Sequence, residues 1–304
     1  MIKYNIKTVN DWLYNSNPIK GMYYNGRRVY RRFVANGQPT PPTPSFDGKF
    51  KAEYSDGTSY SAACDGNTTL TTATTKPSGY VVSAMTSAVI GDCVTSIGAN
   101  AFYNCRRLTS CTIGDCVTTI GGGAFWQCSS LTNIVIPTSV TSIGTQAFYG
   151  CSGMTSCTIG SGVTTISQAA FANCTSLTSC TIGSGVTTIG GGAFENCRSL
   201  TSIDIPNSVT SIDTSAFSSC SNLTSVTIPS SVTSIGNNAF YYCSSLQSIT
   251  VEATTPPTLV GYHVFKNTNN CPIYVPDASV NAYKSASRWT SYASRIKPIS
   301  EKPQ

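Results

Sequence analysis

The sequence predicts a repeat solenoid of short parallel strands, with 23-residue coils and capping segments, and three observations carry that prediction. First, Phe102, Phe125, Phe148, Phe171, Phe194, Phe217 and Phe240 recur at a constant step of 23 residues. Second, each Phe keeps its companions: Ala before it, Cys three positions after it, Leu (Met at 154) three after that, then strand-type apolar residues, Val and Ile. Third, the pattern fails at both ends, where a stack of coils must close its exposed apolar faces and unpaired edges. A fixed period in the range of about 20–50 residues marks stacked coils whose faces are buried only by their neighbours.

The elements follow in chain order. Residues 1–37 form a small N-terminal module, with VNDWLYNS as one or two helical turns and IKGMYYNGRRVYRRF as a hairpin. Asn25-Gly26 supplies the positive φ angles of its turn. Residues 38–45 are a Pro-rich linker, stiff and extended. Residues 46–79 form a capping hairpin around Asp56-Gly57, since FKAEYSDGTSYSAAC alternates apolar and polar residues. The solenoid occupies 80–251; Met85, Ala88 and Ile90 already fit the end of a coil, and full coils start at Val94. Residues 252–304 break the period as a C-terminal cap, with SVNAYKSASRWTSYASRI reading as a short amphipathic helix.

Within a coil, Gly98, Gly121, Gly144, Gly190 and Gly236 follow the Ile, where a left-handed residue closes the corner. Asp213 tolerates that conformation, whereas Ser167 fits it less well and marks the Phe171 coil as locally different. Pro137, Pro206 and Pro229 end strands where other coils use Gly114, Gly160 and Gly183.

Ten of the fourteen cysteines sit in two apolar slots of the period. Cys105, Cys128, Cys151, Cys174, Cys197, Cys220 and Cys243 share one slot; Cys111, Cys157 and Cys180 share another with Ile134, Ile203, Val226 and Ile249. A slot that accepts Cys, Ile or Val is a buried apolar slot, so these ten are expected as reduced core residues. Cys93 and Cys116 share a more polar slot and are the first candidates for a disulfide, although stacked side chains run parallel instead of toward one another.

Composition narrows the function. Charged residues are 11% of the chain, and the net charge of +6 lies at its ends: seven basic and one acidic residue in 1–33, six and nine in 34–251, six and three in 252–304. No basic stripe follows the solenoid, which argues against nucleic acid. No apolar run reaches the ~20 residues of a membrane span, and the N-terminus lacks the parts of a secretory signal. Export is then expected by another route, or after loss of a signal, or by virion or appendage assembly. Catalytic signatures are missing: His263 is the only His, and CxxC, GxSxG and phosphate-loop patterns do not occur. Glu195, Asp204 and Asp213 lie on neighbouring coils but at different repeat positions, so isolated surface acids are the simpler reading than a carboxylate pair. No enzyme, metal or cofactor is expected.

Segments such as AFYNCRRLTS and SSVTSIGNNAFYYCSSLQSITV resemble the BspA-type leucine-rich repeats of bacterial surface proteins, and the tail from Ala253 is similar to the C-terminal cap common in them. The resemblance covers roughly 80–300. It implies a right-handed β/α leucine-rich-repeat solenoid and a non-enzymatic adhesin that binds a surface protein or glycan. It carries no individual binding residue with it and leaves residues 1–37 unexplained.

Two faces compete as a binding surface. Outward strand positions form a carpet of hydroxyls, from Ser110 and Thr112 to Ser225 and Thr227, interrupted by Asn133, Val135 and Asp204, with little to encode a ligand. The slot after Phe instead varies: Tyr103, Trp126, Tyr149, Ala172, Glu195, Ser218 and Tyr241, with Tyr242 beside the last and Arg106 and Arg107 near the first. A slot that varies among fixed neighbours is expected to face solvent. Tyr103, Trp126, Tyr149, Tyr241, Tyr242, Arg106 and Arg107 are therefore the candidate binding residues. The expected function is adhesion or receptor recognition of a surface protein or glycan. The alternative is a structural part of a phage virion, tail fibre or secretion appendage, anchored to an assembly partner through residues 1–37.

Overall fold

The structure, a computed structural model, describes residues 22–24, 27–29, 48–75 and 81–303. The chain divides into two compact units, Met1–Pro44 and Ser45–Gln304. In the first, strands Met22–Tyr24 and Arg27–Val29 pair antiparallel on either side of the expected turn. The VNDWLYNS helix and the Pro-rich linker lie outside the described residues.

The second unit is a solenoid. Each regular coil contributes a strand to a first parallel ladder, a two- or three-residue strand to a second, and a tight corner carrying the Phe. The register is set by the sequence period: Ser156 pairs with Asn133 and Ser179 with Ser156, each 23 residues on. Strand side chains alternate in and out, as period-two geometry requires, so Ile134 and Ile136 are buried while Val135 between them is exposed. The helix implied by a β/α repeat is absent from the coils between Val94 and Val251. Its place is taken by the Phe corner, a run of turns whose N–H groups reach the next coil, for example Phe102 to the Ala124 carbonyl at 2.7 Å and Asn104 to Trp126 at 2.8 Å.

Packing explains the invariant residues. The seven Phe rings and Phe265 are fully buried. They form one parallel column, with centroid spacings from 4.7 Å (Phe102 to Phe125) to 5.7 Å (Phe240 to Phe265) and tilts of at most 17°. All ten repeat cysteines are free thiols in the core, as expected. Six also act as donors: Cys128, Cys151, Cys174, Cys197, Cys220 and Cys243 point S–H at the carbonyl of the preceding coil's Phe, at 3.1–3.3 Å. A thiol thus fills the slot as a small hydrophobe and supplies a weak donor that Ile or Val cannot. Burial pushes the Cys243 thiol up to about 12.

Three expectations are corrected. The glycines after Ile are not left-handed. They are favoured by close approach, because a Cβ on Gly121 would lie 2.5 Å from the Ala99 nitrogen and one on Gly144 2.4 Å from that of Gly122. The left-handed residues occupy two other columns, from Asn100 to Asn238 and from Asn104 to Tyr242, with φ between 52° and 69°. Second, Cys93 bonds to Cys64, not to Cys116, with Cα atoms 6.2 Å apart. Cys64 comes from the tail of the capping hairpin, outside the stack, whereas Cys116 stacks in register with Cys93 and remains a free, exposed thiol. Third, the C-terminal helix spans only Val280–Ser285; extended backbone at Ala286 ends it, and left-handed Arg288 at φ 66° precedes the separate turns of Trp289–Arg295.

The caps close both ends of the Phe column. Strand Phe50–Tyr54 pairs antiparallel with Ser59–Ala62 and with Met85–Ile90, and Phe50 tilts at 56° onto Phe102. Buried Lys49 is held by Asp65 at 3.0 Å, and this hydrogen bond lowers the Asp65 carboxyl below its ordinary range. Thr69–Leu70 begins the second ladder ahead of the first full coil. At the other end, Trp289 and Tyr292 cover Phe265, while Ile273–Val275 and Ile296–Pro298 extend the first ladder in parallel.

The ladders are not continuous, and the interruptions follow single residues. No pairing crosses from Ser110–Thr112 to the next coil, nor from Ser179–Thr181 to the coil of Asp204. At both steps the strand-ending slot changes from Gly (114, 183) to Pro (137, 206). Pro229 follows Pro206, and one bridge, Asp204 to Thr227, spans that step. Where Gly160 and Glu252 fill the slot, their N–H groups donate to Ile136 and Ile228 at 3.0 Å. Proline has no N–H to give. The second ladder breaks once, between Ser142–Ile143 and Thr165–Ile166, where the Ser167 hydroxyl takes the Ile143 carbonyl at 2.5 Å. Ser167 does mark a local difference, although Phe171 stacks like its neighbours.

Two outcomes are expected. In hydrogen exchange, the amides of Val135 and Asp204 exchange at least tenfold faster than those of Thr158 and Thr181, which hold the same slot inside an intact ladder; equal protection would remove the proline seams. In thiol titration, the native chain offers one accessible sulfur, Cys116, and denaturation without reductant brings the total to twelve. Partial burial, then the Asp92 and Asp115 carboxylates, raise the Cys116 thiol. Its modification is therefore slow at neutral pH and accelerates as pH rises.

Candidate binding surface

At each Phe corner the residue after Phe lies between two left-handed residues. Its own N–H turns back to the residue three before it, as in Tyr103 to Asn100 at 3.1 Å and Tyr149 to Gln146 at 3.0 Å. Every coil therefore presents this side chain at the same place. The slot is only partly open to solvent. Tyr103 is exposed and Trp126, Tyr149, Glu195 and Tyr241 are half-buried, but Ala172 and Ser218 are covered. In a column with a spacing of about 5 Å, a short side chain lies beneath its longer neighbours.

Tyr103, Trp126 and Tyr149 come together as a stack. Tyr103 and Trp126 lie 6.2 Å apart at 26°, and Trp126 and Tyr149 lie 4.2 Å apart at 20°. Because the rings stack along the solenoid axis, the faces of Trp126 are turned to its two neighbours. The stack displays ring edges and polar atoms as a ridge. Beside it runs a shallow groove of about 390 Å³ lined by Asn100, Tyr103, Gly122, Gly123, Trp126, Thr145 and Gln146. Arg106 belongs to this face and donates to Gln127 at 3.2 Å. Arg107 does not, since it reaches the capping hairpin and donates to Ser55 at 3.1 Å.

Tyr241 and Tyr242 form a separate cluster. They meet edge to face at 4.5 Å, four coil steps from Tyr149, or about 20 Å at ~4.8 Å per step. Partial burial, then Tyr242, hold the Tyr241 hydroxyl above the usual phenol range. Three residues that sequence reasoning missed join them: Tyr262, His263 and Arg288, whose guanidinium sits 5.3 Å from the Tyr262 ring centre. The available signal was Phe265, which continues the Phe column after a step of 25 residues instead of 23 and places Lys266 in the slot after Phe.

The first ladder presents the hydroxyl carpet, with Ser156, Thr158, Ser179 and Thr181 exposed. A groove of about 240 Å³ lies on it beside the Pro206 seam, lined by Ser202, Asp204, Asn207, Thr227, Pro229 and Glu252 among others. Asp204 thus shares a groove with Glu252, not with Glu195 or Asp213. Glu195 lies at a Phe corner and Asp213 just after the second-ladder strand Ser211–Ile212. Among the described residues no group of three or more His, Cys, Asp and Glu is placed to hold a metal ion, and no helix is long and apolar enough to cross a membrane.

Comparison with known proteins agrees with this architecture. The model of the BspA type leucine rich repeat region matches residues 79–197 and 164–287, in six copies. A search of curated proteins found no match. Among solved structures, the chain is similar to a leucine-rich repeat protein from Eubacterium ventriosum ATCC 27560 at 26% identity and a TM-score of 0.53, covering 63% of this chain and 50% of that one. It is also similar to a leucine-rich repeat protein from Bacteroides ovatus ATCC 8483 at 24% identity and a TM-score of 0.54, covering 74% and 61%. The chain spans one half to three fifths of the length of these relatives. Six family repeats laid over a 23-residue period and a continuous Phe column make the chain a member of the BspA-type leucine-rich-repeat family.

Proposed function

We propose that the chain is a non-enzymatic recognition protein that binds a cell-surface macromolecule through the Phe-corner side of its solenoid. The observation that carries this reading is the Tyr103–Trp126–Tyr149 stack, three large aromatics on successive coils of a surface otherwise dominated by Ser and Thr. The core does not require them, because Ala172 and Ser218 serve the same slot elsewhere. Ring edges, the Tyr103 and Tyr149 hydroxyls, Arg106 and the adjoining groove suit a protein partner. A sugar ring needs a free aromatic face to lie against, and stacking has turned the Trp126 faces inward. The ridge is already ordered, so binding costs little side-chain freedom. Display on a cell surface, virion or appendage, with residues 1–37 as an anchor to an assembly partner, belongs to the same proposal.

The test compares the parent chain with a Tyr103→Ala/Trp126→Ala/Tyr149→Ala variant for binding to intact bacterial and animal cells and to immobilised surface proteins. Folding of the variant is checked by its strand signal in circular dichroism. At least a tenfold loss of affinity in the folded variant is expected, which corresponds to about 1.4 kcal/mol. Equal binding by both chains would remove the ridge as the site. A chain lacking residues 1–44 is expected to retain cell binding while losing any assembly interaction.

A further inference from the structure

The C-terminal end of the same side carries features that the fold does not require. Tyr242 is 49% exposed, Val260 53% and Tyr262 69%, half of the six exposed large hydrophobics among the described residues. Tyr242 adopts φ 58° in a column that elsewhere holds Asn104, Gln127, Gly150, Asn173, Asn196 and Ser219. A bulky residue there bears the steric cost of the left-handed conformation and gains little burial in return. Tyr262 likewise fills a place occupied in earlier coils by Ala99, Gly122, Thr145, Gln168, Gly191, Thr214 and Asn237.

The patch is also held firmly. The Tyr262 N–H donates to Asn237 Oδ1 at 2.9 Å, and the Tyr242 N–H to the Lys266 carbonyl at 3.1 Å. Arg288, at φ 66°, lies against the Tyr262 ring and donates to the Leu259 carbonyl. His263 stands 6.4 Å from Tyr241 and 6.5 Å from Tyr262, ring centre to ring centre.

Charge points to the ligand. Lys266 and Arg288 form no ion pair, because both salt bridges among the described residues lie in the N-terminal cap. Glu195, three coils back, and Asp213, two coils back and about 10 Å away at ~4.8 Å per coil, are the acids nearest in register on this side. That distance is about a Debye length at physiological salt. Unneutralised cations beside exposed aromatic faces suit an anionic group attached to a ring with an apolar face.

An extended acidic peptide fits less well. Strand Thr258–Val260 ends the second ladder, and its Pro257 and Leu259 carbonyls are taken by the Trp289 indole at 2.8 Å and by Arg288. The edge on which a peptide strand would add is closed.

We infer that Tyr242, Val260, Tyr262, His263, Lys266 and Arg288 form a second binding site, specific for an acidic saccharide bearing carboxylate or sulfate groups. The inference rests on the solenoid being a recognition surface, but not on the Tyr103–Trp126–Tyr149 ridge being its site.

The experiment measures binding of an oligogalacturonate, a heparin fragment, maltohexaose and hexaglutamate by calorimetry. The proteins are the full chain, a Tyr262→Ala/Lys266→Ala variant whose altered side chains are exposed, and the ridge triple variant. The full chain is expected to bind at least one of the two acidic saccharides, at least tenfold more tightly than maltohexaose or hexaglutamate, and less tightly as salt rises. The Tyr262→Ala/Lys266→Ala variant loses at least tenfold, and the ridge variant matches the parent. Equal binding of hexaglutamate, unchanged binding by the Tyr262→Ala/Lys266→Ala variant, or no binding of either acidic saccharide overturns the site. If the full chain still adheres to cells in that last case, the second site fails while the recognition reading stands.

Discussion

The register between successive coils is the constraint on which the rest of this structure depends. Each coil is too small to bury its own apolar residues and has no hydrogen-bond partners of its own for most of its strand groups, so both needs are met by the coil before and the coil after. That works only if every coil advances by the same number of residues. At a step of 23, Phe meets Phe at 4.7–5.5 Å, the Cys thiol meets the Phe carbonyl, and backbone donors at the corner meet carbonyls of the next coil. The C-terminal step of 25 residues survives because its extra residues are absorbed in the cap, where Phe265 is covered by Trp289 and Tyr292.

This constraint also explains where function can reside. Inward slots are held to a few residue types, and the outward strand slots to hydroxyl and β-branched side chains. The slot after Phe tolerates Trp, Tyr, Glu, Ser and Ala because its backbone is fixed by the turn and not by the side chain. Variation there costs the fold little, so a surface can be composed coil by coil. The two ends of that side are composed differently: a stacked ridge of aromatic edges near the N-terminal cap, and an aromatic and cationic patch at the C-terminal one. The proline seams leave the Phe column intact, since Phe125 lies on Phe102 at 4.7 Å and Phe194 on Phe171 at 5.5 Å, both within 7° of parallel. The core and the corners therefore carry the stack across steps where the first ladder lets go.

Most of the fold was legible because repetition multiplies each signal. One Phe or Cys means little, but seven in register identify a buried column, and the structure places them all there. What the period does not cover was not legible. Cys64 lies outside it, so its bond to Cys93 had no repeat partner to reveal it. Tyr262, His263 and Lys266 were hidden by the two-residue insertion before Phe265. The donor role of the thiols and the effect of the prolines depend on which carbonyl lies one coil back, a three-dimensional fact that composition at a slot does not contain. Of the candidate binding residues, Tyr103, Trp126 and Tyr149 stack as their shared slot indicated, whereas the adjacent Arg106 and Arg107 diverge from one turn, to Gln127 and to Ser55.

Deleting whole and fractional coils tests the register most directly. Removing residues 163–185 takes out one period of 23 residues, and removing 163–184 takes out one residue fewer. The first deletion is expected to fold with an unchanged strand signal per residue and a cooperative melt. The second sets Phe194 and everything after it one residue out of register with Phe148, and is expected to melt at much lower temperature and without a single transition. If both deletions fold with the same cooperativity and stability, the coil register does not hold this protein together.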